Sequence, residues 1–121
     1  MKNACIYNLT RQNVACDKCQ IADNLITRMR GLSGRKSLGE DEGLLIVPCP
    51  SIHMFGMKFS LDVVFVTKEM IVTDIRENIA PRQIYVAKDN AGKPYSALEM
   101  PIGSVARCGV QIGDVLEIRH S

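Results

Sequence analysis

The hydrophobic residues of this chain recur in short runs with the two-residue period of β-strands. The densest run is DVVFVT at residues 62–67, where β-branched side chains dominate. A Lys-Glu pair at residues 68–69 leads from it into MIVTDI at residues 70–75, whose alternate side chains face opposite sides of a strand. Upstream, GLLIV at residues 43–47 is continuously apolar between turn-forming residues. These patterns predict a buried strand at 43–47 and a hairpin made of 62–67 and 70–75.

Weaker patterns predict further strands and two short helices. The strands are predicted at residues 6–9, 83–87, 97–100 and 115–119. Asp23 is a suitable N-terminal cap for a helix that runs to about Arg30, where Gly31 supplies the stop. A second helix is predicted at residues 103–108, ending before Gly109.

The number and spacing of these elements predict the fold class. A chain of 121 residues has the size of one domain, and no linker or repeat divides it. Many short strands with two minor helices favour a mainly β fold. We therefore expect residues 1–121 to form a compact single-domain β-sandwich or barrel-like sheet pair.

Charge and hydropathy narrow the partners and the location. The net charge is +2, from fifteen basic and thirteen acidic residues spread along the chain, which argues against a nucleic-acid partner. No apolar run approaches the length of a membrane span, and the N-terminus has no apolar core typical of a signal peptide. Five cysteines make an odd number that suits reduced thiols. These observations predict a cytoplasmic protein with no membrane partner.

A series of motifs resembles one known family. Their order is R-x-R-G-L from Arg28, G-L-L-I from Gly43, S-I-H-x-F-G-M-x-F-x-L-D-V-V-F-V from Ser51, A-L-E-M-P-x-G from Ala97 and G-V-x-x-G-D from Gly109. This order resembles DUF192, also called UPF0127, a small bacterial and archaeal domain of unassigned function. The resemblance runs from about residue 22 to the C-terminus and implies a mainly β fold. Ser60 stands where the family often has proline, which leaves the entry into the strong strand less rigid.

The cysteines suggest one kind of chemistry. Cys16 and Cys19 form C-x-x-C, and Cys49 with His53 forms C-x-x-x-H. Together they make a Cys₃His set of the kind that tetrahedral zinc accepts. A redox pair is the other use of C-x-x-C, and Cys16 would then lie near the start of a helix. Against both, free cysteines most often pack as small apolar residues. No cofactor is therefore predicted, and zinc is kept as the alternative.

His53 suggests a second kind of site. It lies in an apolar, methionine-rich segment, and the basic segment that begins at Arg28 could close over it. Small-ligand pockets are usually apolar with a few polar anchors. The predicted ligand-binding residues are Arg30, His53, Met54, Phe55, Met57 and Glu99. A carboxylate beside the histidine, from Asp62 or Glu99, would also permit general acid–base catalysis. Equally, these carboxylates could serve structural networks.

Three functional hypotheses follow, of which the first is preferred. In the first, the chain is a non-catalytic binding module for a small molecule or a protein. In the second, it is a zinc- or thiol-dependent protein that uses Cys16, Cys19, Cys49 and His53. In the third, it is a hydrolase or lyase that uses His53 with Asp62 or Glu99.

Overall fold

The protein is mainly β, as the sequence predicts. The computed structural model describes residues 1–54 and 56–120, except the side chain of residue 25. The elements of this described part are β1 (Lys2–Asn8), β2 (Asn13–Ala22), α1 (Leu25–Arg30), β3 (Glu42–Ile46), β4 (Ser51–His53), β5 (Leu61–Val66), β6 (Val72–Ile79), β7 (Ile84–Val86), β8 (Ser96–Pro101), α2 (Ser104–Cys108) and β9 (Leu116–His120). With six and five residues, neither α1 nor α2 is long and apolar enough to cross a membrane.

Seven strands form one sheet that curls until its two edges meet. The strand order is β6-β5-β8-β3-β2-β1-β9, and the neighbours are antiparallel except for the parallel pair β2 and β3. An isolated bridge joins Ile71 before β6 to Val115 before β9. The backbone N–H of Leu116 also donates to the carbonyl of Met70 at 2.9 Å. The predicted barrel-like arrangement is therefore present, because the edge strands pair with each other at one end.

Both faces of the curled sheet are covered, and each carries its own hydrophobic cluster. Residues enclosed by the curl, including Val64 and Leu98, pack with α2. Residues on the outer face, including Val63 and Phe65, pack under the segments that cross over the sheet. All six residues of β5 are buried for this reason. A strand buried on both faces appears as a continuous apolar run, which is how β5 stands out in the sequence.

The segment with the C-x-x-C motif is a strand, so the hypothesis of a helix starting near Cys16 is wrong. Cys16 and Cys19 lie on β2, where the pairing with β1 is irregular between Ala4 and Ile6. Both cysteines are buried in the inner cluster. A β-bulge shifts the alternation of a strand by one residue. Here it puts residues three apart on one face, which imitates the spacing of a helix.

The first helix forms as predicted but begins one residue later than expected. Asn24, rather than Asp23, is the N-cap, and its side-chain oxygen accepts a hydrogen bond of 3.0 Å from the N–H of Thr27. Ile26 and Met29 are exposed on this helix. Gly31 ends it with a positive φ of 50°, a conformation that glycine adopts most readily. The chain then turns back over the outer face.

A small second sheet completes the cover of the outer face. It pairs β4 with β7 in an antiparallel register, so that Ser51 lies opposite Val86 and His53 opposite Ile84. Ile52, between them on β4, points inward and joins the outer cluster. The segment around His53, for which the sequence predicts no strand, therefore contains a three-residue strand.

Candidate functional site

A pocket of about 320 Å³ opens on the outer face of the main sheet. We call it the outer pocket. Its walls are the end of α1 with the turn after it, the segment from Pro48 to His53, and the outer face of β8 at Glu99. Its lining residues are Arg28, Met29, Arg30, Gly31, Leu32, Ser33, Ile46, Pro48, Cys49, Pro50, Ser51, Ile52, His53, Met57 and Glu99.

Hydrogen bonds to the strands below hold one wall of the outer pocket in place. The N–H of Cys49 donates to the carbonyl of Tyr95 at 2.6 Å, next to the start of β8. The N–H of Ala87 donates to the carbonyl of Pro50 at 3.1 Å, beyond the end of β7. On the opposite wall, the N–H of Gly31 donates to the carbonyl of Thr27 at 2.9 Å and closes the C-terminal end of α1. The basic segment therefore lies beside the histidine segment, as the sequence suggests.

Glu99 is the buried acidic group of the outer pocket. It lies in register with Leu44 on β3 and Val63 on β5, two apolar residues of the outer face. Only 6% of Glu99 is exposed, and its side chain makes no hydrogen bond or ion pair with the described residues. Burial raises its pKa from the usual 4.5 to about 7. A carboxyl group that has no hydrogen-bond partner among the described residues therefore faces the cavity.

Arg28 supplies a basic group to the same pocket. It lies in the last turn of α1 and is half-buried. Its Nε atom is buried and has no hydrogen-bond partner among the described residues. Within the described part of the chain, no ion pair joins this guanidinium, or that of Arg30, to the Glu99 carboxylate. Buried polar groups are usually hydrogen-bonded, so the unpaired Nε of Arg28 in the wall of this cavity is unusual.

Cys49 lies close enough to both charged groups to be affected by them. Burial, followed by the negative charge of Glu99, raises the pKa of the Cys49 thiol to about 11, and Arg28 acts in the opposite direction. The Sγ atom donates a hydrogen bond of 2.9 Å to the carbonyl of Ser51. Because the thiolate is the nucleophilic form, a raised pKa makes this cysteine a poor nucleophile at neutral pH.

Four of the six predicted ligand-binding residues line the outer pocket. These are Arg30, His53, Met57 and Glu99. Met54 is instead fully buried in the outer cluster, and Phe55 lies outside the described residues. The sequence-based prediction missed Arg28 and Cys49 as pocket residues. The R-x-R-G-L motif contains Arg28, but the pattern does not distinguish the half-buried arginine from the exposed Arg30.

Asp62 is not part of the outer pocket. It lies in register with Met100, a residue of the inner cluster, and therefore faces the inside of the curled sheet. Its two carboxylate oxygens accept hydrogen bonds from the N–H of Asn78 at 3.0 Å and from the N–H of Val105 at 3.1 Å. The structure thus brings Glu99, but not Asp62, into the pocket that His53 lines.

The four candidate zinc ligands lie on opposite faces of the sheet. Cys16 and Cys19 belong to the inner cluster, whereas Cys49 packs against the outer cluster and lines the outer pocket together with His53. In the described part of the chain, no three histidine, cysteine or acidic side chains are placed to hold one metal ion. The Cys₃His set is therefore not assembled in this fold.

The fold and the pocket define the class of protein, which is a mainly β protein with a curled seven-stranded sheet and a small pocket on its outer face. The chain belongs to the DUF192 family, described as "Uncharacterized ACR", whose match covers residues 7–118. This match begins upstream of the predicted boundary near residue 22 and includes the end of β1 and all of β2.

Individual relatives agree with this assignment. A UPF0127 protein of Thermococcus sibiricus is 31% identical over 117 residues, which is 93% of this chain and 73% of that protein. A UPF0127 protein of Pyrococcus abyssi is 33% identical over 105 residues, covering 83% and 85% of the two chains. A crystal structure of a protein of unknown function from Novosphingobium aromaticivorans has a TM-score of 0.78 at 26% identity, covering 95% of this chain and 83% of that one.

Proposed function

We propose that this protein binds a small polar molecule in the outer pocket without converting it chemically. The observation that supports the proposal is Glu99, a carboxyl group with 6% exposure that lines the cavity and lacks a hydrogen bond from the described residues. Leaving a buried polar group unpaired costs about 1–3 kcal/mol, and more if it is charged. A ligand that donates to Glu99 would recover this free energy on binding.

The dimensions of the outer pocket favour a small molecule over a protein segment. Its volume of about 320 Å³ lies at the small end of the range of about 300–1,000 Å³ that is typical of ligand pockets. Leu32, Ile46 and Ile52 contribute apolar surface, while Arg28 and Glu99 contribute polar anchors. This mixture of apolar walls and a few polar groups is the usual composition of a binding site.

The chemistry of the surrounding groups favours binding over catalysis. A thiol with a pKa of about 11 is an inefficient nucleophile at neutral pH, which argues against covalent chemistry at Cys49. Asp62, one of the two carboxylates considered for acid–base work, has both oxygens engaged with backbone N–H groups on the inner face. Glu99 is then the remaining acidic candidate, and a buried carboxyl can equally hold a ligand.

A ligand screen on matched variants tests the proposal. A metabolite library would be screened by ligand-observed NMR against the wild type, a Glu99→Met variant and a Glu69→Met control at an exposed position. We expect ligands that bind the wild type and the control but bind Glu99→Met at least about tenfold more weakly, because the acceptor is removed. The proposal is wrong if no compound binds, or if every bound compound is indifferent to Glu99→Met.

A further inference from the structure

We propose that the ligand of the outer pocket carries two functional groups: an anionic group that binds Arg28 and a hydrogen-bond donor that binds Glu99. This inference rests on the proposed function and specifies the chemical class of the ligand. The anionic group is a carboxylate or a phosphate, and the donor is a hydroxyl or an ammonium group. The two unpaired side chains that line the same cavity support the inference.

Arg28 presents the donor side of this site. Its Nε atom is buried without a hydrogen-bond partner, and no hydrogen bond or ion pair with the described residues engages the rest of its guanidinium, so its other N–H groups can bind a ligand. Guanidinium groups bind carboxylates and phosphates through charge-assisted hydrogen bonds, often two in parallel. Arg30 lines the same pocket from an exposed position and adds a second positive charge at its edge. An anionic group on the ligand satisfies Arg28 and is attracted by both arginines.

Glu99 presents the acceptor side. Its carboxyl group is buried among apolar residues of the outer face, including Leu44 and Val63, which lie beside it in the sheet. Neither arginine forms an ion pair with it, so the site does not neutralise itself internally. A ligand with an anionic group alone would leave Glu99 unpaired and would add negative charge to the pocket. A donor on the same ligand removes this penalty.

The position of Cys49 indicates that one small molecule can reach both groups. Glu99, Arg28 and Cys49 all line the outer pocket, and the charges of Glu99 and Arg28 act on the Cys49 thiol in opposite directions. The cavity that they share, of about 320 Å³, corresponds to about ten water molecules at about 30 Å³ each. A short-chain ligand with an apolar body against Ile46 and Ile52 fits this space better than a nucleotide or a peptide.

A matched set of probes on one four-carbon skeleton tests the two-group requirement. The probes are butanoate, 4-hydroxybutanoate, 4-aminobutanoate, 1-butanol and butylamine. Two further probes, 2-hydroxybutanoate and 2-aminobutanoate, vary the spacing between the two groups. Propyl phosphate and 3-hydroxypropyl phosphate replace the carboxylate by a phosphate. Binding to the full chain is followed by ¹H–¹⁵N NMR titration, which also reports whether the perturbed residues line the outer pocket.

We expect at least one probe with both groups to bind about tenfold or more tightly than its counterparts with one group. Arg28→Met should remove the advantage of the anionic group, whereas Arg35→Met, at an exposed position outside the outer pocket, should not. Glu99→Met should remove the advantage of the donor. Glu99→Gln distinguishes the donors, because an amide oxygen still accepts from a hydroxyl but lacks the charge that attracts an ammonium group.

The outcomes separate this inference from the proposed function. If probes with one group and probes with two groups perturb the outer pocket equally, the two-group requirement is wrong while small-molecule binding stands. The two-group requirement is also wrong if Arg28→Met leaves all affinities unchanged. If no probe perturbs the pocket, the ligand class is wrong, and the library screen on Glu99→Met then decides whether the pocket binds any small molecule.

Discussion

The Oδ2 atom of Asp62 accepts a hydrogen bond of 3.1 Å from the backbone N–H of Val105, which ties the first turn of α2 to β5. The other oxygen accepts from the N–H of Asn78 on β6 at 3.0 Å. A single buried carboxylate thus connects a helix and two neighbouring strands. Its role differs from that of Glu99, whose carboxyl group has no such partners among the described residues and faces a cavity.

Replacement of Asp62 by alanine should destabilise the fold. Two charge-assisted hydrogen bonds disappear and the N–H groups of Asn78 and Val105 lose their acceptor, so we expect a loss of about 3 kcal/mol or more in the free energy of unfolding. Urea unfolding followed by far-UV circular dichroism measures this loss. The exposed Asp17→Ala variant is the control and should change stability little. Similar stabilities of the two variants would contradict a structural role for Asp62.

Glu99 should make the stability of the protein decrease as the pH rises. The folded pKa of about 7 exceeds the usual 4.5, so the folded state retains a proton that the unfolded state releases. The stabilisation from this proton is fully present below pH 4.5 and is lost by about pH 7. At 1.36 kcal/mol per pKa unit, the total change is about 3 kcal/mol.

A comparison with Glu99→Gln isolates this contribution from the other titrating groups. Unfolding free energies of both proteins would be measured across the same pH range. The variant should gain on the wild type by about 3 kcal/mol between pH 4.5 and pH 7, because its amide does not titrate. Glu69→Gln, at an exposed position, should run parallel to the wild type. If Glu99→Gln also runs parallel, the pKa of Glu99 is not raised.

Gly43 should tolerate alanine only if the neighbouring thiol is removed. A Cβ atom at this position would lie 2.6 Å from Cys16 Sγ and 3.0 Å from the carbonyl oxygen of Glu99. Gly43→Ala should therefore destabilise the protein by about 1–3 kcal/mol through overpacking. Adding Cys16→Ala removes the closer contact, so the double variant should be more stable than the sum of the single effects implies. With Cys108→Ala, a buried thiol elsewhere, the effects should add.

The thiols should react unequally, and chelation of zinc should have no effect on stability. Cys16, Cys19 and Cys108 are buried, whereas Cys5 and Cys49 are half-buried. A disulfide reagent should label at most Cys5 and Cys49 in the folded protein, with Cys49 slow because of its raised pKa, and all five cysteines in denaturant.

Unfolding curves with and without a chelator should coincide. About one bound zinc per chain, with Cys16, Cys19 and Cys49 protected, would instead restore the Cys₃His hypothesis.

Sequence patterns predicted the strands best where both faces are covered. β5 is a continuous β-branched run, and its predicted and observed bounds differ by one residue. β2 was missed as a strand, because a bulge displaces its alternation and gives Cys16 and Cys19 a helix-like spacing. The three residues of β4 were missed for another reason. So short a strand has too few positions to show a period, and its pairing with β7 depends on residues more than thirty positions away.

Some residues of the outer pocket are among the predicted ligand-binding residues, and their role in binding stays a prediction. Four of the predicted residues line the outer pocket, namely Arg30, His53, Met57 and Glu99. The prediction rested on a basic segment that could close over an apolar segment. Met54 was assigned to the ligand but packs in the outer cluster, and Arg28 was overlooked although its Nε is the buried one. Neighbours within a short segment can face either the pocket or the core, and residue type does not distinguish these two environments.

Local propensity and apolar periodicity in the sequence determined that this protein is mainly β and where its central strands lie, and the order of its motifs indicated its family. Only the tertiary structure decided what its two buried carboxylates do. Glu99 and Asp62 both lie in apolar strands, and their environment depends on which face of the sheet each occupies. The strand register places Glu99 beside Val63 on the outer face and Asp62 beside Met100 on the inner face. A shift of one residue would exchange the two faces, because the side-chain period of a strand is two.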